Sequence, residues 1–538
     1  MGDGSGGGCQ RSWGQASAGR PSRSVRACQE HRTRCTPVHQ GAVPHLSRGV
    51  IRITLSDGLE LRKGRRVEYT ELDAYPLSGG RLTTWTPEVA APAWRDDPRG
   101  LSWDHGQHLR GGETGSWIGS VLRLPVRYDN DTVRRGLRAW LMRHEALRTT
   151  VLPAGDGWAR RTADADDIDV VPVEHGELPA EEVRRQIEQC FATVAPGRWP
   201  HLRVATVDPG DGGGLVLAFG ADHSVMDAYS QLLWFGEIAL ALERVAAGDA
   251  EEDCLDDTIA SYVDHSATDR ATGDAVGPDH AVVERWRTLL DEHGGFPAYP
   301  DTDLARGAGP ARQHSTSTWV ATASEADRLG EVCRAAGAGT QTGALALFSL
   351  AVRRLLGAER LSYVLPLHTR HDPGHASSVG WYVGCAPLTV DLAGTTGLTG
   401  ALARVESAVR AAKPCARIPL PRVADLLGTD DHPHLVVSFV DTRYVPGSRH
   451  WPEWEARALR SPAHADDEVY LWLVRSHLGL SVSTRFPATD AAAAAMERLL
   501  DALREGVLDA IEPAEPAVDT VDTIAGESAG IAAEAVYA

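Results

Sequence analysis

Lysine is almost missing from this chain. Of its 54 Lys and Arg residues only Lys63 and Lys413 are lysines. A phosphate-cradling loop of the Walker type needs Lys followed by Ser or Thr. Lys63 is followed by Gly64 and Lys413 by Pro414, so that loop is excluded. A Schiff-base mechanism would have to use one of the same two side chains, and neither lies in an apolar, pocket-like pattern. A surplus of positive charge is also lacking. The formal net charge of −19 argues against nucleic acid as the main partner, which calls for a basic stripe. No apolar run approaches the ~18–20 residues of a membrane-spanning helix. Cysteine is sparse and scattered: eight residues in 538 read as reduced thiols of a cytoplasmic protein, not as a disulfide framework. There is no His-Glu-x-x-His pair and no other convincing ligand set for a catalytic metal, so none is expected.

The ends differ from the middle. Residues 1–49 carry seven arginines against Asp3 and Glu30 and have no apolar periodicity. They read as a disordered or mis-assigned extension, not a secretory signal. Cys28, His31, Cys35 and His39 lie in this stretch, but their spacing matches no common zinc finger and no hydrophobic residues surround them. Residues 512–538 hold six acidic and no basic residues and read as a solvated tail.

The middle reads as mixed α/β without strict βαβ alternation, which favours two open-sheet lobes over a barrel. Apolar spacing predicts helices over 131–147, 228–247, 323–336, 342–356 and 488–510. Strands are predicted at 215–219, 361–367, 384–391, 435–440, 469–475 and 478–485. The polar, acidic stretch 248–312 reads as a surface crossover between a lobe at 50–310 and a second at 311–511.

One segment carries chemistry. In Gly214–Ser230 an apolar strand ends at Gly220, and His223 and Asp227 follow just where a buried helix begins. His-x-x-x-Asp spacing alone is uninformative, because His265/Asp269 and His368/Asp372 show it too. Only the first pair sits between a buried strand and a buried helix.

This segment resembles the His-His-x-x-x-Asp-Gly signature of acyltransferases with a chloramphenicol-acetyltransferase-like fold, a superfamily that includes condensation domains and polyketide-associated acyltransferases. Other elements follow in the order of that family: Arg143-His144-Glu145-Ala146-Leu147-Arg148-Thr149, then Arg370 and Val379–Leu388, then Ser438–Arg443 with Pro446-Gly447. The resemblance covers roughly residues 70–510. Asp222 stands where the first His is usual, and Ala228 where the Gly is usual.

The resemblance implies two lobes in a V with the active site between them. It implies His223 as the general base, because neutral imidazole, with an ordinary pKa of about 6.5, suits proton removal from an attacking hydroxyl. It assigns Asp227 a supporting role, turned away from substrate to pair with an arginine, for which Arg370 is the candidate. Asp222, Trp381 and Tyr382 are candidates for lining the channel; for the two aromatics, packing in the core or at the lobe interface is the first reading and channel lining the sharper alternative. The implied donor is a thioester, acyl-CoA or a phosphopantetheinyl carrier protein, with no bound cofactor. The implied acceptor is a hydroxyl of a small molecule, glycolipid or secondary metabolite, and the chain is expected to be monomeric. A free-standing amide-forming condensation domain and an inactive scaffold module are the alternatives. Acyl identity, acceptor and regiochemistry are not legible at this level.

Overall fold

The computed structural model describes residues 69–112, 116–155, 157–210, 212–255, 258–301, 311–465 and 467–512. The expectations for residues 1–49, including Cys28, His31, Cys35 and His39, and for the tail from 513 onward lie outside these. The described residues all belong to one compact unit, Leu59–Ala538.

Two mixed sheets organise it. The first has seven strands in the order Tyr69–Thr70, Arg457–Arg460, Ile118–Leu124, Leu215–Ala221, Leu202–Asp208, Gly80–Val89, Ile168–Leu178. The strand Leu215–Ala221 lies in its interior and is buried along its whole length. Its side chains alternate between faces, as a pleated strand requires. Leu215, Leu217, Phe219 and Ala221 join one apolar cluster with the helices Asn130–Arg143 and Ser230–Ala247. Val216 and Ala218 join another, against the helix Ala180–Phe191. Burial on both faces explains why this segment reads as a continuous apolar run instead of an alternating one.

The second sheet has six strands in the order His314–Thr322, Gly479–Phe486, Val469–Ser476, Leu435–Asp441, Arg360–His368, Val383–Asp391. Its core is closed by the helices Ala323–Ala335, Thr340–Leu356, Gly397–Ala412 and Asp490–Ile511. Thr322 starts the first of these with a reciprocal capping box to Glu325.

Two features depart from the sequence expectation. The stretch 248–312 contains the helices Tyr262–Asp274 and Ala281–His293, with Val283 and Trp286 fully buried. The division at 310/311 is also crossed by the chain, because Arg457–Arg460 pairs with Ile118–Leu124 in the first sheet. A four-residue strand flanked by loops gives too weak an apolar signal to be placed from sequence.

Among the described residues no single helix is long and apolar enough to cross a membrane. The bent pair Ala323–Ala335 and Thr340–Leu356 qualifies only jointly, and its Leu329, Leu345, Phe348 and Val352 lie in the second core.

Candidate active site

The site begins where Leu215–Ala221 leaves its sheet. Asp222 caps the following 3-10 turn, His223–Val225, by accepting from the Ser224 amide at 2.9 Å. Asp227 then accepts at 2.6 Å from the amide of Ser230, the first residue of the helix Ser230–Ala247. This helix runs to Gly248, whose φ of 101° suits the left-handed cap that glycine adopts most readily. Strand end, turn and helix start therefore hold His223 and Asp227 in fixed positions.

The Asp227 carboxylate is 1 % exposed and fully engaged. Besides Ser230 it accepts from the amide of Tyr382 at 2.9 Å and from Arg370 Nη2 at 3.0 and 3.2 Å. Arg370 also donates to the carbonyl of His375 and to Ser230 Oγ, and its guanidinium lies 4.0 Å from the centre of the Tyr382 ring. The Asp227 amide in turn donates to the carbonyl of Gly380 at 3.0 Å. Only glycine fits at 380, because a Cβ there would meet the Tyr262 ring at 2.3 Å. The loop bearing His223 is thus tied to the 370–382 segment of the second half by a buried ion pair and five hydrogen bonds with amide, carbonyl or hydroxyl partners.

His223 is held differently. Its ring packs at a tilt of 45° against Trp381 with centroids 4.1 Å apart, and its Nδ1 is buried without a hydrogen bond among the described residues. Burial, followed by the nearby positive charge of His108, lowers its pKa below the ordinary imidazole value. A neutral imidazole with a free nitrogen lone pair is the form able to accept a proton.

Asp222 is not a channel-lining residue. Its side chain is fully buried and faces His108 Nε2 at 3.1 and 3.3 Å. Burial alone would raise its pKa, but His108 and Ser224 outweigh that and hold the carboxyl below the usual range. His108 comes from the helix Trp103–Gly111; its ring lies 6.5 Å from that of His223 and 5.7 Å from Trp381. The acid at the first-His position of the motif is therefore matched by a histidine from a separate element. Nothing in the sequence flagged His108: one histidine on a short helix has no signal until the fold brings it to Asp222.

Tyr382 also sits apart from any channel. It is fully buried between Arg370, Tyr262 and His265, and its hydroxyl donates to Ser378 at 2.9 Å. Trp381 is the aromatic of the pair that faces His223. His144 is a strut: its Nδ1 accepts from the Val379 amide, which leaves Nε2 to donate to Glu237 at 2.9 Å. The carboxylates of the other two His-x-x-x-Asp pairs are engaged elsewhere. Asp269 accepts from the Trp103 amide, and Asp372 caps a 3-10 turn. His265 packs on Tyr382, and burial with the charges of His375 and Arg370 pulls its pKa down to about 4.

This geometry can be set beside known proteins. The family model described as Condensation domain matches residues 106–442. Acyltransferase PapA3 of Mycobacterium tuberculosis is 26% identical over 463 residues, which cover 80% of this chain and 96% of that protein. Trehalose-2-sulfate acyltransferase PapA2 of the same organism is 25% identical over 416 residues, covering 72% of this chain and 85% of the relative. Among solved structures, PapA2 acyl transferase superposes with a TM-score of 0.73 at 21% identity, over 83% of this chain and all of that one. The first condensation domain of the CDA synthetase gives 0.60 at 18% identity, over 77% and 97%. The matched family model, these relatives and the two-lobed fold show that the chain belongs to the condensation-domain family as an acyltransferase.

Proposed function

We propose that the chain moves an acyl group from a thioester to a hydroxyl of a sugar-like or glycolipid acceptor, with His223 as the general base. The observation that carries this is the division of labour at the site. The Asp227 carboxylate is occupied by Ser230, Tyr382 and Arg370, which leaves the His223 imidazole as the basic group in the loop. A thioester is already activated, so one base suffices: it takes the hydroxyl proton as the oxygen attacks and returns it to the departing thiolate. No bound cofactor enters these steps.

In this reading Asp227 and Arg370 position the loop, and Trp381 fixes the plane of the His223 ring and faces the reacting groups. The half built on the first sheet, Arg457–Arg460 included, and the half built on the second supply the two walls, and donor and acceptor enter from opposite sides. The donor is acyl-CoA or an acyl carrier protein. PapA2 is named for acylating trehalose-2-sulfate, which makes sugar hydroxyls the first acceptors to try.

The test is mass spectrometry of products from a panel of acyl-CoAs and acyl carrier proteins with trehalose-type and amine acceptors. An ester on a sugar hydroxyl is expected. Transfer confined to a carrier-bound amine would replace this reading with amide condensation. Failure with every donor and acceptor would favour the scaffold alternative.

The pH profile follows from the shifted imidazole. A base works only when neutral, that is, above its pKa. Because burial and His108 lower the pKa of His223, kcat/KM should persist below the ordinary value of about 6.5 and fall only at more acid pH. His108→Gln removes one of the two depressing influences, so its acid limb should move upward. An acid limb at or above the ordinary value in the native protein would contradict the assignment.

A further inference from the structure

At the far end of the second sheet, two histidines and two carboxylates converge on one point. The strands Leu435–Asp441 and Val469–Ser476 run parallel and begin side by side, with Leu435 opposite Val469. Residues just upstream of each start are therefore neighbours. His432 and His434 precede one strand, and Asp467 and Glu468 precede the other. His434 Nδ1 lies 3.1 Å from Asp467 Oδ2, His432 Nε2 lies 3.3 Å from Glu468 Oε1 and 4.0 Å from Asp467 Oδ1. The donor atoms of His432, His434 and Asp467 all fall within 4.8 Å of one another.

The surroundings of His434 orient its ring toward the same point. Asp431 Oδ1 accepts from the amide of His432 at 2.9 Å and lies 3.1 Å from His434 Nε2. A carboxylate only accepts, so Nε2 carries the proton. In the neutral ring Nδ1 is then a bare lone pair. It is buried, makes no hydrogen bond among the described residues, and faces the acceptor oxygen of Asp467. A proton on Nδ1 or a bound cation in its place satisfies that pair. Asp431 also accepts from the Phe296 amide at 2.9 Å, which fixes the carboxylate that orients the histidine. This is the carboxylate–histidine arrangement that supports bound metals.

We propose that His432, His434 and Asp467, with Glu468 as a further oxygen donor, form a binding site for a divalent transition ion, zinc by ligand type. Two imidazole nitrogens with carboxylate oxygen suit zinc, whose bonds of about 2.0–2.2 Å set neighbouring tetrahedral ligand atoms about 3.3 Å apart. The site is separate from the acyl-transfer centre. Strand Arg360–His368 runs parallel to Leu435–Asp441, with Val364 opposite Val436, so Arg370 follows the opposite end of the sheet. The ion would act structurally, joining the loop before one strand to the loop before its neighbour.

The experiment uses the full chain without a histidine tag, loaded with zinc, desalted, and assayed for metal by inductively coupled plasma mass spectrometry. Competition with a chromophoric chelator and melting curves with and without zinc complete it. The native protein should retain roughly one equivalent at this site and melt higher with zinc. His432 is half exposed, so His432→Ala should fold normally, lose that equivalent and lose the zinc-dependent rise in Tm. Asp467→Asn should weaken zinc binding roughly tenfold or more. Full zinc retention by both variants, or no uptake by the native chain, overturns the site.

Discussion

His223→Ala should lower kcat for acyl transfer by roughly 10²–10⁴-fold while leaving the fold intact. The side chain makes no hydrogen bond through Nδ1 among the described residues, and its largest neighbour is Trp381. Removing it therefore costs packing against one indole and disturbs none of the ties that hold the loop. Asp222 keeps His108 and Ser224; Asp227 keeps Arg370, Ser230 and Tyr382. Circular dichroism and Tm should stay close to native, and KM for the thioester should change far less than kcat. His223→Gln is the companion: it restores much of the volume but no base, so it should be as inactive as the alanine variant. His108→Ala is the control for mere proximity. It removes the partner of a buried carboxylate and should cost stability, with a smaller loss of kcat. Wild-type turnover in His223→Ala would remove the proposed base.

Much of this was legible in the sequence, and for identifiable reasons. The strand Leu215–Ala221 and the helix Ser230–Ala247 were visible because both are buried on nearly every side and so carry long apolar patterns. His223 and Asp227 were selected by lying between them. The proximity of Arg370 to Asp227 was implied by resemblance, and the 143-residue separation of this pair shows why spacing alone gave no hint of it. Other features were hidden for the same physical reason. His108 reaches Asp222 across 114 residues, and His434 reaches Asp467 only because two parallel strands start together. Contacts of this kind depend on sheet order, which local periodicity does not encode. Trp381 and Tyr382 could not be told apart in sequence because an aromatic in a motif reads the same whether it faces a channel or a core; here Trp381 faces His223 while Tyr382 packs under Arg370, the core reading.

The second large effect concerns the tie beneath the base. Arg370 and Asp227 are 5 % and 1 % exposed, and removing one partner strands the other as a buried charge. Losses of about 3–5 kcal/mol are usual for that situation. Arg370→Met and Asp227→Ala should each lose stability in this range, read from the midpoint of urea unfolding at constant slope. The double variant should lose less than the sum, because neither charge is then left alone. Activity should separate a positioning role from a second base. If Asp227 only holds the loop, then Asp227→Asn lowers kcat by misplacing His223, while the acid limb of kcat/KM, set mainly by the burial of His223, stays near its native position. A second base would instead show itself as a missing ionisation in the pH profile of Asp227→Asn. The hydrogen bonds favour the first outcome, since the carboxylate points at Ser230, Tyr382 and Arg370 and has no acceptor oxygen left uncommitted for an attacking hydroxyl.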